Sequence, residues 1–529
     1  MVPEKSTVQT LSKSKLLAHR QCPKRLWLEL NRKEEAQYST ATTASFAAGH
    51  VVGEVARRLY DPEDKGVLIA LDRGATDTAL ALTAQALAKR KPIFEAGFAS
   101  DGALAFADVL LPVRHKGKLA WRMVEVKSST KINDVYRDDL AIQSFAARQS
   151  GLPLAKATLA HINSDFVYSG DGRYDGLLVE TDLTDESFSR ADEVRGWIFA
   201  AHATARKRVA PQIQTGVHCN VPYECGFVAY CKTQEPQAQY PVEWLPRVQT
   251  KALKTELLKP TVSDLRHVND ELLNPQQLKV KKHTLSGKCY FDKSGAANAL
   301  DAHKLPAYFL DFETIAFAVP VWKGTRPFQQ IPFQFSAHRL SRTLQLSHKG
   351  YLDLTGSDPS EAFAVALINA CGETTNRSPV FVYNKGFESA RIKELAARLK
   401  GNAKVEHLVP ALLALESRLV DLEPIARAHY YHPSQQGSWS IKALLPAMVK
   451  NLSYATLDGV QGGTSAQTAY IEAALPALAS GQNGGQPLRS KTKVEEQLLR
   501  YCRLDTFAMV KVWAILSGRK DALKLKEMD

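Results

Sequence analysis

The chain contains few cysteines and no long apolar run. Seven cysteines among 529 residues are too few for a secreted protein that disulfides hold together. It has no stretch of about 18 uninterrupted apolar residues, which a membrane-spanning helix needs. The amino-terminal sequence is polar where a secretory signal needs an apolar segment. The G-x-x-x-x-G-K-[ST] loop of ATP-driven motors is also missing. We therefore expect a soluble, cytoplasmic protein with no membrane segment and no built-in motor of that kind.

Acidic side chains are outnumbered by basic ones. Lys and Arg exceed Asp and Glu by 68 to 55, a net charge of +13, and residues 236–529 hold 37 of the basic and 27 of the acidic side chains. This excess suits a polyanionic partner such as nucleic acid, although solubility explains it nearly as well. Hydrophobic residues make up 45% of the chain, which excludes wholesale disorder. The length predicts about two to four domains.

Hydrophobic periodicity predicts two α/β units, residues 1–235 and 301–529. In the first, helical patterns precede a strand meander over 93–127, which a helix and another strand follow. Residues 236–300 are rich in Lys, Gln, Pro and Asn and include KVKKH at 279–283. We interpret them as a basic connector with a surface for a duplex. In the second unit strands alternate with helices, as in a mixed sheet, before a Gly- and Gln-rich stretch (481–486) and a final helix.

Two carboxylates and a lysine are expected to meet in the first unit. Glu125 and Lys127 are two residues apart on a predicted strand and project from one face, and Asp108 lies in the preceding strand. Such a set can bind Mg²⁺ or Mn²⁺ beside a phosphate, and the lysine can stabilise charge that develops on phosphorus. The alternative interpretation of an E-x-K pair is a solvated strand face.

The order of Asp108, Glu125-Val126-Lys127 and Gln143 resembles the PD-(D/E)XK nuclease core of the RecB-like family. The resemblance implies that Gln143 steadies the lysine or the substrate backbone. Glu95, in the IFEAGF strand, matches a position that is often acidic in that family and is a candidate metal ligand. The first motif of the family would fall in GHVVGE, where His50 or Glu54 can supply a further metal ligand or a contact to a residue that binds the metal.

Four cysteines surround this region in a pattern that the same family shares. Cys219, Cys225 and Cys231 follow the nuclease core at equal spacing, and Cys22 precedes it in RQCPKRLW. RecB-like nucleases of the iron-sulfur class resemble this arrangement, which implies a [4Fe-4S] cluster held by four thiolates. Zinc is the alternative, since four cysteines suit it as well; buried unligated cysteines are the third possibility. His218 is expected to be incidental.

A second acidic set lies in the carboxyl-terminal unit. Asp311 and Glu313 in YFLDFET share one strand face, and Tyr501 and Asp505 in YCRLD share one helix face. The three carboxylates can bind two divalent ions for in-line hydrolysis of a phosphodiester, with Tyr501 orienting the attacking water. Without YCRLD, the D-x-E pair would be interpreted as a surface or capping pair.

This set resembles the DnaQ-like, ribonuclease H-fold exonucleases of the DEDDy subclass. Asp311 and Glu313 match their first motif, and Tyr501 and Asp505 their third. YNKGFESAR supplies the Asn and Phe of the second motif (Asn384 and Phe387), but Glu388 stands where the family has Asp. The extra methylene of Glu388 can still reach a metal ion, so Glu388 stays a candidate metal ligand. Asp421 occupies a position that is often structural in these enzymes, and we expect it to cap a helix. The GSWSIKALLPA segment (437–447) resembles one that recurs in bacterial proteins of uncharacterised function in which both nuclease-like domains are fused.

Together the resemblances imply an α/β protein with a PD-(D/E)XK restriction-endonuclease-like core and a ribonuclease H-like mixed-sheet domain. The expected function is a metal-dependent DNA nuclease with two phosphodiesterase centres, active in DNA repair or mobile-element defence. The second centre would remove nucleotides from three-prime ends of DNA that is single-stranded or has free ends; unwinding would require a separate helicase. Two alternatives stay open: a nucleic-acid-binding scaffold with one decayed centre, and an RNA-processing exonuclease.

Overall fold

The computed structural model describes residues 10–69, 76–259, 261–450, 452–480 and 489–525. The chain divides into two compact units: unit 1 comprises Met1–Pro236 and Phe317–Gln329, and unit 2 comprises Gln237–Ala316 and Gln330–Asp529. Each unit contains helices packed on a sheet with parallel and antiparallel pairs, so the predicted α/β class is confirmed. The Gly- and Gln-rich stretch at 481–486 lies outside the described residues.

Unit 1 has seven strands and eight helices in its described part. In chain order these are β1 (Leu11–Ser12), α1 (Lys13–Gln21), α2 (Pro23–Asn31), α3 (Thr40–Tyr60), β2 (Val67–Leu68), α4 (Thr76–Lys89), β3 (Ile93–Ser100), β4 (Ala103–His115), β5 (Lys118–Lys127), α5 (Asp134–Gln149), β6 (Leu154–Ile162), β7 (Leu178–Asp182), α6 (Thr184–Ser189), α7 (Ala191–Ala205) and α8 (Val228–Thr233).

The sheet of unit 1 has the order β2-β3-β4-β5-β6-β7, and β1 also pairs with β4. Strands β3, β4 and β5 pair antiparallel, which confirms the predicted meander. Strand β6 then runs parallel to β5, and α5 makes the crossover that a parallel pair requires. Of the predicted site residues of this unit, Glu125, Lys127 and Gln143 lie where β5 ends and on the helix α5 that follows it.

Cysteine and proline divide the first helical segment of unit 1. Helix α1 ends at Gln21, and Cys22 adopts an extended conformation between α1 and α2. Pro23 begins α2, at a position where its missing N–H costs no hydrogen bond. This break places Cys22 at one end of α1 and Lys13 at the other.

Unit 2 has seven strands and twelve helices in its described part. In chain order these are α9 (Lys251–Leu257), α10 (Pro275–Ser286), β8 (Tyr290–Phe291), α11 (Lys293–Asp301), β9 (Ala307–Ile315), β10 (Ile331–Leu340), β11 (Leu346–Leu352), α12 (Ser360–Cys371), β12 (Val380–Val382), α13 (Lys385–Leu399), α14 (Val409–Ser417), β13 (Leu419–Asp421), α15 (Leu422–His429), β14 (Tyr430–Tyr431), α16 (Ile441–Met448), α17 (Gly463–Ala474), α18 (Pro476–Ser480), α19 (Lys491–Leu516) and α20 (Lys520–Leu523).

The main sheet of unit 2 has the order β11-β10-β9-β12-β13. Strands β11, β10 and β9 pair antiparallel, whereas β12 and β13 continue parallel to β9. Strand β9 is therefore central, and eight of its nine residues, among them Phe309 and Leu310, are buried. The buried helix α19 packs on β9 and β10. A central strand and a buried helix give their side chains fixed positions.

The structure differs from the predicted connector over 236–300. From Gln237 onward this segment belongs to unit 2 and has its own apolar cluster, which includes Leu253 and Leu265. The basic cluster KVKKH lies on α10, where Lys279 Nζ donates to Ala428 O (2.6 Å) and Lys281 Nζ to Asp270 Oδ1 (2.6 Å). Two of its lysines thus stabilise the unit itself.

One segment of the chain belongs to a different unit from its neighbours in the sequence. Residues Phe317–Gln329 belong to unit 1 although they follow the central strand of unit 2, and Ala318 and Val319 are buried there against α3. In the described ranges, no helix has the length and apolar character to cross a membrane.

Candidate functional site

Glu125 and Lys127 lie at the end of β5, and Asp108 lies on the neighbouring strand β4. The Val126 N–H donates to Asp108 Oδ2 (2.7 Å). This bond continues the pairing of β4 with β5 beyond its last backbone pair, Val109 with Val124. We call Asp108, Glu125 and Lys127, together with Lys13, Asp139 and Gln143, the β5 centre.

Glu125 is only 1% exposed and is held by two lysines. Its Oε1 accepts from Lys127 Nζ (2.6 Å) and from Lys13 Nζ (3.0 Å). Both lysines also contact Asp139, Lys13 at 2.9 Å and Lys127 at 2.5 Å. Two ammonium groups therefore bridge two carboxylates in a buried network. Neither Lys13 nor Asp139 was among the residues predicted from the sequence.

Gln143 joins the same network from α5. Its Nε2 donates to Glu125 Oε2 (2.6 Å) and to Asp139 Oδ1 (3.1 Å). Gln143 therefore holds the two carboxylates that contact Lys127. Neither of these hydrogen bonds involves the lysine itself. Asp139 precedes Gln143 by four residues, a spacing that places both on one helix face. That spacing is the signal by which the sequence indicates Asp139.

Lys13 gives a weaker sequence signal. It is the first residue of α1, where the positive end of the helix dipole disfavours a cation. A lysine in that position is tolerated when a nearby carboxylate attracts it, and here Glu125 and Asp139 do so from 112 residues or more along the chain. No local pattern in the sequence predicts so distant a pair.

In the β5 centre, the pKa values of some carboxylates are raised and that of Asp139 is lowered. Burial, followed by repulsion from Asp108, raises the pKa of Glu125 to about 7. Burial also raises the pKa of Asp108 and of Glu95. For Asp139, burial is outweighed by attraction to Lys127 and Lys13, which holds its pKa below the usual range. Together with Glu95, the β5 centre contains four carboxylates and two lysines. A bound divalent cation would neutralise the excess negative charge of the carboxylates.

The further candidate ligands, Glu95 and the two first-motif residues His50 and Glu54, differ in position. Glu95 on β3 is electrostatically coupled to Glu125, and its φ of +58° is a left-handed conformation that is strained for a residue other than glycine. Glu54 instead approaches His50 (3.9 Å between Oε1 and Nε2) on the partly exposed surface of α3. The structure therefore brings Glu95 towards the β5 centre and pairs Glu54 with His50.

We expect Lys13→Ala to lower the free energy of unfolding of the protein by about 3 kcal/mol, because the buried carboxylates lose one of their two cations. Chemical denaturation measures this change. Lys15→Ala is the matched control, since Lys15 lies on the same helix and forms no salt bridge to the described residues. Equal destabilisation by the two substitutions would contradict the bridging role of Lys13.

In unit 2, Asp311 and Glu313 on β9 meet Asp505 on α19. One oxygen from each carboxylate lies within 4.8 Å of the other two. Within the described ranges this is the one group of three or more His, Cys, Asp or Glu ligand atoms with such spacing. We call it the β9 centre. It is formed by residues that the sequence predicted.

The oxygens of Asp505 differ in their contacts. Oδ1 accepts from the Tyr454 hydroxyl (2.5 Å), whereas Oδ2 is buried and has no hydrogen-bond partner among the described residues. A buried carboxylate oxygen without a donor is costly, and a metal ion would satisfy it. Hard oxygen ligands of this kind are those that Mg²⁺ and Mn²⁺ prefer. Tyr454 was not predicted from the sequence, because it lies 51 residues before Asp505 in a 3-10 helix of only three residues.

Glu388 lies beside this group but outside its 4.8 Å limit. It is 2% exposed, sits in the first turn of α13, and its Oε2 has no partner in the described part of the chain. Its charge contributes to the raised pKa of Asp311. The additional methylene of Glu relative to Asp is thus accommodated near the β9 centre.

Asp421 fixes the start of the helix that carries Glu388. Its side chain accepts from the Asn384 N–H (3.1 Å) and the Lys385 N–H (2.9 Å), and it is also the N-cap of α15 through the Glu423 N–H (3.1 Å). The predicted capping role is confirmed. Asn384 has a φ of +89°, so the two hydrogen bonds hold a turn that an L-residue rarely adopts.

Burial and mutual repulsion raise the carboxylate pKa values of unit 2. Burial, followed by repulsion from Asp505, raises the pKa of Asp311 well above its usual range and that of Glu313 to about 8. Burial raises the pKa of Asp505 to about 6 and that of Glu388 to about 8. Without a cation, Asp311, Glu313 and Glu388 retain protons near neutral pH, and a bound metal ion would displace them.

Stabilisation by metal is therefore expected to increase with pH. A carboxylate with a raised pKa in the folded protein stabilises it at low pH, and this stabilisation is lost as pH rises through the folded pKa values of about 6 and about 8. A divalent cation offsets that loss. We expect the Mn²⁺-induced rise in melting temperature to grow between pH 6 and pH 8, and to grow much less in Glu313→Gln. A rise independent of pH would contradict this assignment.

The four predicted cysteines of unit 1 line one cavity. It has about 320 Å³ of space free of protein atoms, part of it open to solvent, and Lys24, Arg25 and His218 also line it. The four cysteines are buried and none forms a disulfide. His218, expected to be incidental, has its Nε2 3.7 Å from Cys219 Sγ. Cys22 precedes the sheet strands β2 to β7 in the sequence and the other three cysteines follow them, and the fold brings the four together.

The sulfur spacing is wider than a single tetrahedral zinc ion requires. Such an ion, with Zn–S distances of about 2.3 Å, holds its sulfurs about 3.8 Å apart. Of the four sulfur atoms, all in described residues, no three lie within 4.8 Å of one another. In a [4Fe-4S] cluster each thiolate binds a different iron, so the four sulfurs need not lie so close together.

Comparison with known proteins gives one family match. A model described as "Domain of unknown function (DUF2779)" matches residues 308–440. This span contains Asp311, Glu313, Glu388 and Asp421, but ends before α16, α17 and α19. No curated protein matches the chain.

Proposed function

We propose that this protein is a metal-dependent DNA nuclease with two phosphodiesterase centres, the β5 centre and the β9 centre, and that the cysteine cavity holds a [4Fe-4S] cluster. The observation that carries the proposal is the convergence of Asp311, Glu313 and Asp505 within 4.8 Å, with one buried Asp505 oxygen lacking a donor in the described residues. The mixed sheet with this acidic central strand supports the ribonuclease H-like interpretation of unit 2.

In unit 2, the carboxylates would hold one or two Mg²⁺ or Mn²⁺ ions, which polarise a phosphodiester and generate a nucleophile from water when bound. Burial keeps the pKa of Tyr501 far above its usual range. Its hydroxyl therefore stays protonated and can orient a water molecule, but does not act as a base. Tyr454 holds Asp505 in place through its hydrogen bond.

In unit 1, Glu125 and Asp108 would hold a divalent ion, and Lys127 would stabilise the negative charge that develops on the phosphate. The order β4, β5, α5 supports the PD-(D/E)XK interpretation, since it collects Asp108, the Glu125–Lys127 pair and Gln143 at one end of the sheet. Asp139 and Lys13 are positioning residues, because they act through Glu125 and Lys127.

DNA with free ends or single strands is the proposed partner, and the protein would rely on a separate helicase for unwinding. The basic excess of residues 236–529 supports a polyanionic substrate. DNA repair and mobile-element defence are the proposed settings, in the cytoplasm.

Cleavage of end-labelled single-stranded DNA and of a matched RNA strand tests this function. Protein purified without oxygen would be incubated with Mn²⁺, with Mg²⁺ or with a chelator. We expect metal-dependent degradation of DNA. Preferential degradation of RNA would support the RNA exonuclease instead, and metal-independent binding with no product from either strand would support a binding scaffold.

A further inference from the structure

Lys442 on α16 lies at the edge of the β9 centre. Its Nζ is 5.1 Å from the ring centroid of Tyr501 and 5.5 Å from that of Tyr454. The Nζ also donates to the Gln461 carbonyl (2.6 Å). These contacts hold the ammonium group between the two tyrosines that adjoin Asp505.

The charge of Lys442 acts on the whole β9 centre. It lowers the pKa of Asp311, Glu313 and Asp505 against the larger effect of burial. Yet Lys442 forms no salt bridge with a carboxylate of the described residues. An ammonium group has three donors, and one of them is used by Gln461. The remaining donors are available to an anion that approaches the carboxylates.

Helix α17 begins beside this ammonium group. A Cβ atom at Gly462, the N-cap, would lie 3.0 Å from Lys442 Nζ, and one at Gly463 would lie 3.8 Å from Glu313 Oε2. The two glycines leave backbone accessible between Lys442 and Glu313. The first N–H groups of a helix lack intrahelical acceptors, and the positive end of the helix dipole favours anions there.

The arrangement places positive groups opposite the three carboxylates. Cations bound to the carboxylates would repel Lys442 unless an anion lay between them. A phosphodiester meets this requirement, because its oxygens can contact metal ions on one side and lysine and backbone donors on the other. The unpartnered Asp505 oxygen, buried within the described residues, independently indicates that the carboxylate side receives a ligand.

We propose that Lys442 and the amino terminus of α17 bind the phosphodiester of the DNA strand that the β9 centre cleaves. This inference rests on the proposed function, and it assigns a substrate-binding role to a residue outside both acidic motifs. The lysine would fix the scissile phosphate against the carboxylates, while Gly462 and Gly463 allow the strand to approach the backbone closely.

The test uses protein carrying Lys127→Ala, so that products come from the β9 centre. Initial rates on labelled single-stranded DNA give KM and kcat for Lys442→Gln, and anisotropy gives DNA affinity with Ca²⁺ in place of the catalytic metal. We expect Lys442→Gln to raise KM by about ten- to hundred-fold and to reduce the slope of log affinity against log salt by about 0.7. Mn²⁺ affinity should change little.

Two further variants separate contact from folding. Lys442→Arg keeps the charge and should restore most of the DNA affinity. Lys450→Gln removes an exposed lysine eight residues later and should leave KM and the salt slope unchanged. Unchanged KM and salt slope in Lys442→Gln would overturn the inference, as would a loss explained wholly by weaker Mn²⁺ binding.

The proposed function and this inference fail in different ways. If the Lys127→Ala protein binds DNA without cutting it, and Lys442→Gln weakens that binding with a smaller salt slope, cleavage by the β9 centre is wrong but the phosphate site stands. If Asp311→Asn abolishes cleavage and Lys442→Gln alters neither KM nor binding, the nuclease stands and the phosphate site is wrong.

Discussion

Asp311→Asn in the protein that also carries Lys127→Ala is expected to lower the degradation rate of end-labelled single-stranded DNA by at least about a thousand-fold. The substitution removes one of the three carboxylates that converge within 4.8 Å. A bound divalent ion would lose a charged ligand and would no longer be held in position to neutralise the scissile phosphate. Rates with saturating Mn²⁺ measure the effect. Saturating metal is necessary because weaker metal binding alone would otherwise mimic a slower reaction.

Asp301→Asn is the matched control for this substitution. Asp301 ends α11 in the same unit and is exposed, so its loss should leave the rate unchanged. A melting temperature measured for each variant separates catalytic loss from unfolding. Retention of wild-type rates by Asp311→Asn, with its fold intact, would show that the β9 centre is not the nuclease and would favour a binding domain.

Cys225→Ser is expected to remove the iron. Protein purified without oxygen should contain about four iron atoms per chain when the cavity is filled, and the variant should contain almost none, because one of the four thiolates is lost. We also expect the products of the β5 centre to disappear. Cys22, which shares the cavity, directly follows the helix that begins with Lys13. Loss of the cluster would therefore release the residue that bridges Glu125 and Asp139.

Cys289→Ser controls for the loss of a thiol, since Cys289 is exposed and lies in unit 2. It should keep both iron and cleavage. Metal analysis distinguishes the alternatives. One zinc ion per chain would show that the cysteines form a zinc site and not an iron-sulfur cluster. No metal in any preparation would show that they are buried unligated thiols. Loss of iron with full retention of the products of the β5 centre would contradict the mechanical role given to α1.

The sequence predicted the parts of the two centres that lie on regular elements. Alternation in WRMVEVK and YFLDFET fixed which residues share a strand face, and the four-residue spacing of Tyr501 and Asp505 fixed a helix face. These are local regularities, and the structure has them. The cap at Asp421 was likewise predictable, because an N-cap side chain accepts hydrogen bonds from backbone N–H groups only two or three residues later.

Apart from Asp139, for which the four-residue spacing from Gln143 was an available signal, the residues that escaped prediction come from remote or irregular segments. Lys13 is 112 residues from its partner Glu125, and Tyr454 reaches Asp505 from a short turn. Tertiary packing alone creates such contacts. The same reason explains why composition suggested a connector over 236–300 where the fold has a packed part of unit 2, and why no pattern assigned Phe317–Gln329 to unit 1.

The most direct measurement is the product pattern of end-labelled single-stranded DNA with Mn²⁺ for four proteins: wild type, Lys127→Ala, Asp311→Asn and the double variant. Two working centres predict that each single substitution removes a distinct set of products and that the double variant releases none. Degradation at the wild-type rate by the double variant, with both units folded, would contradict the assignment of nuclease activity to these two centres.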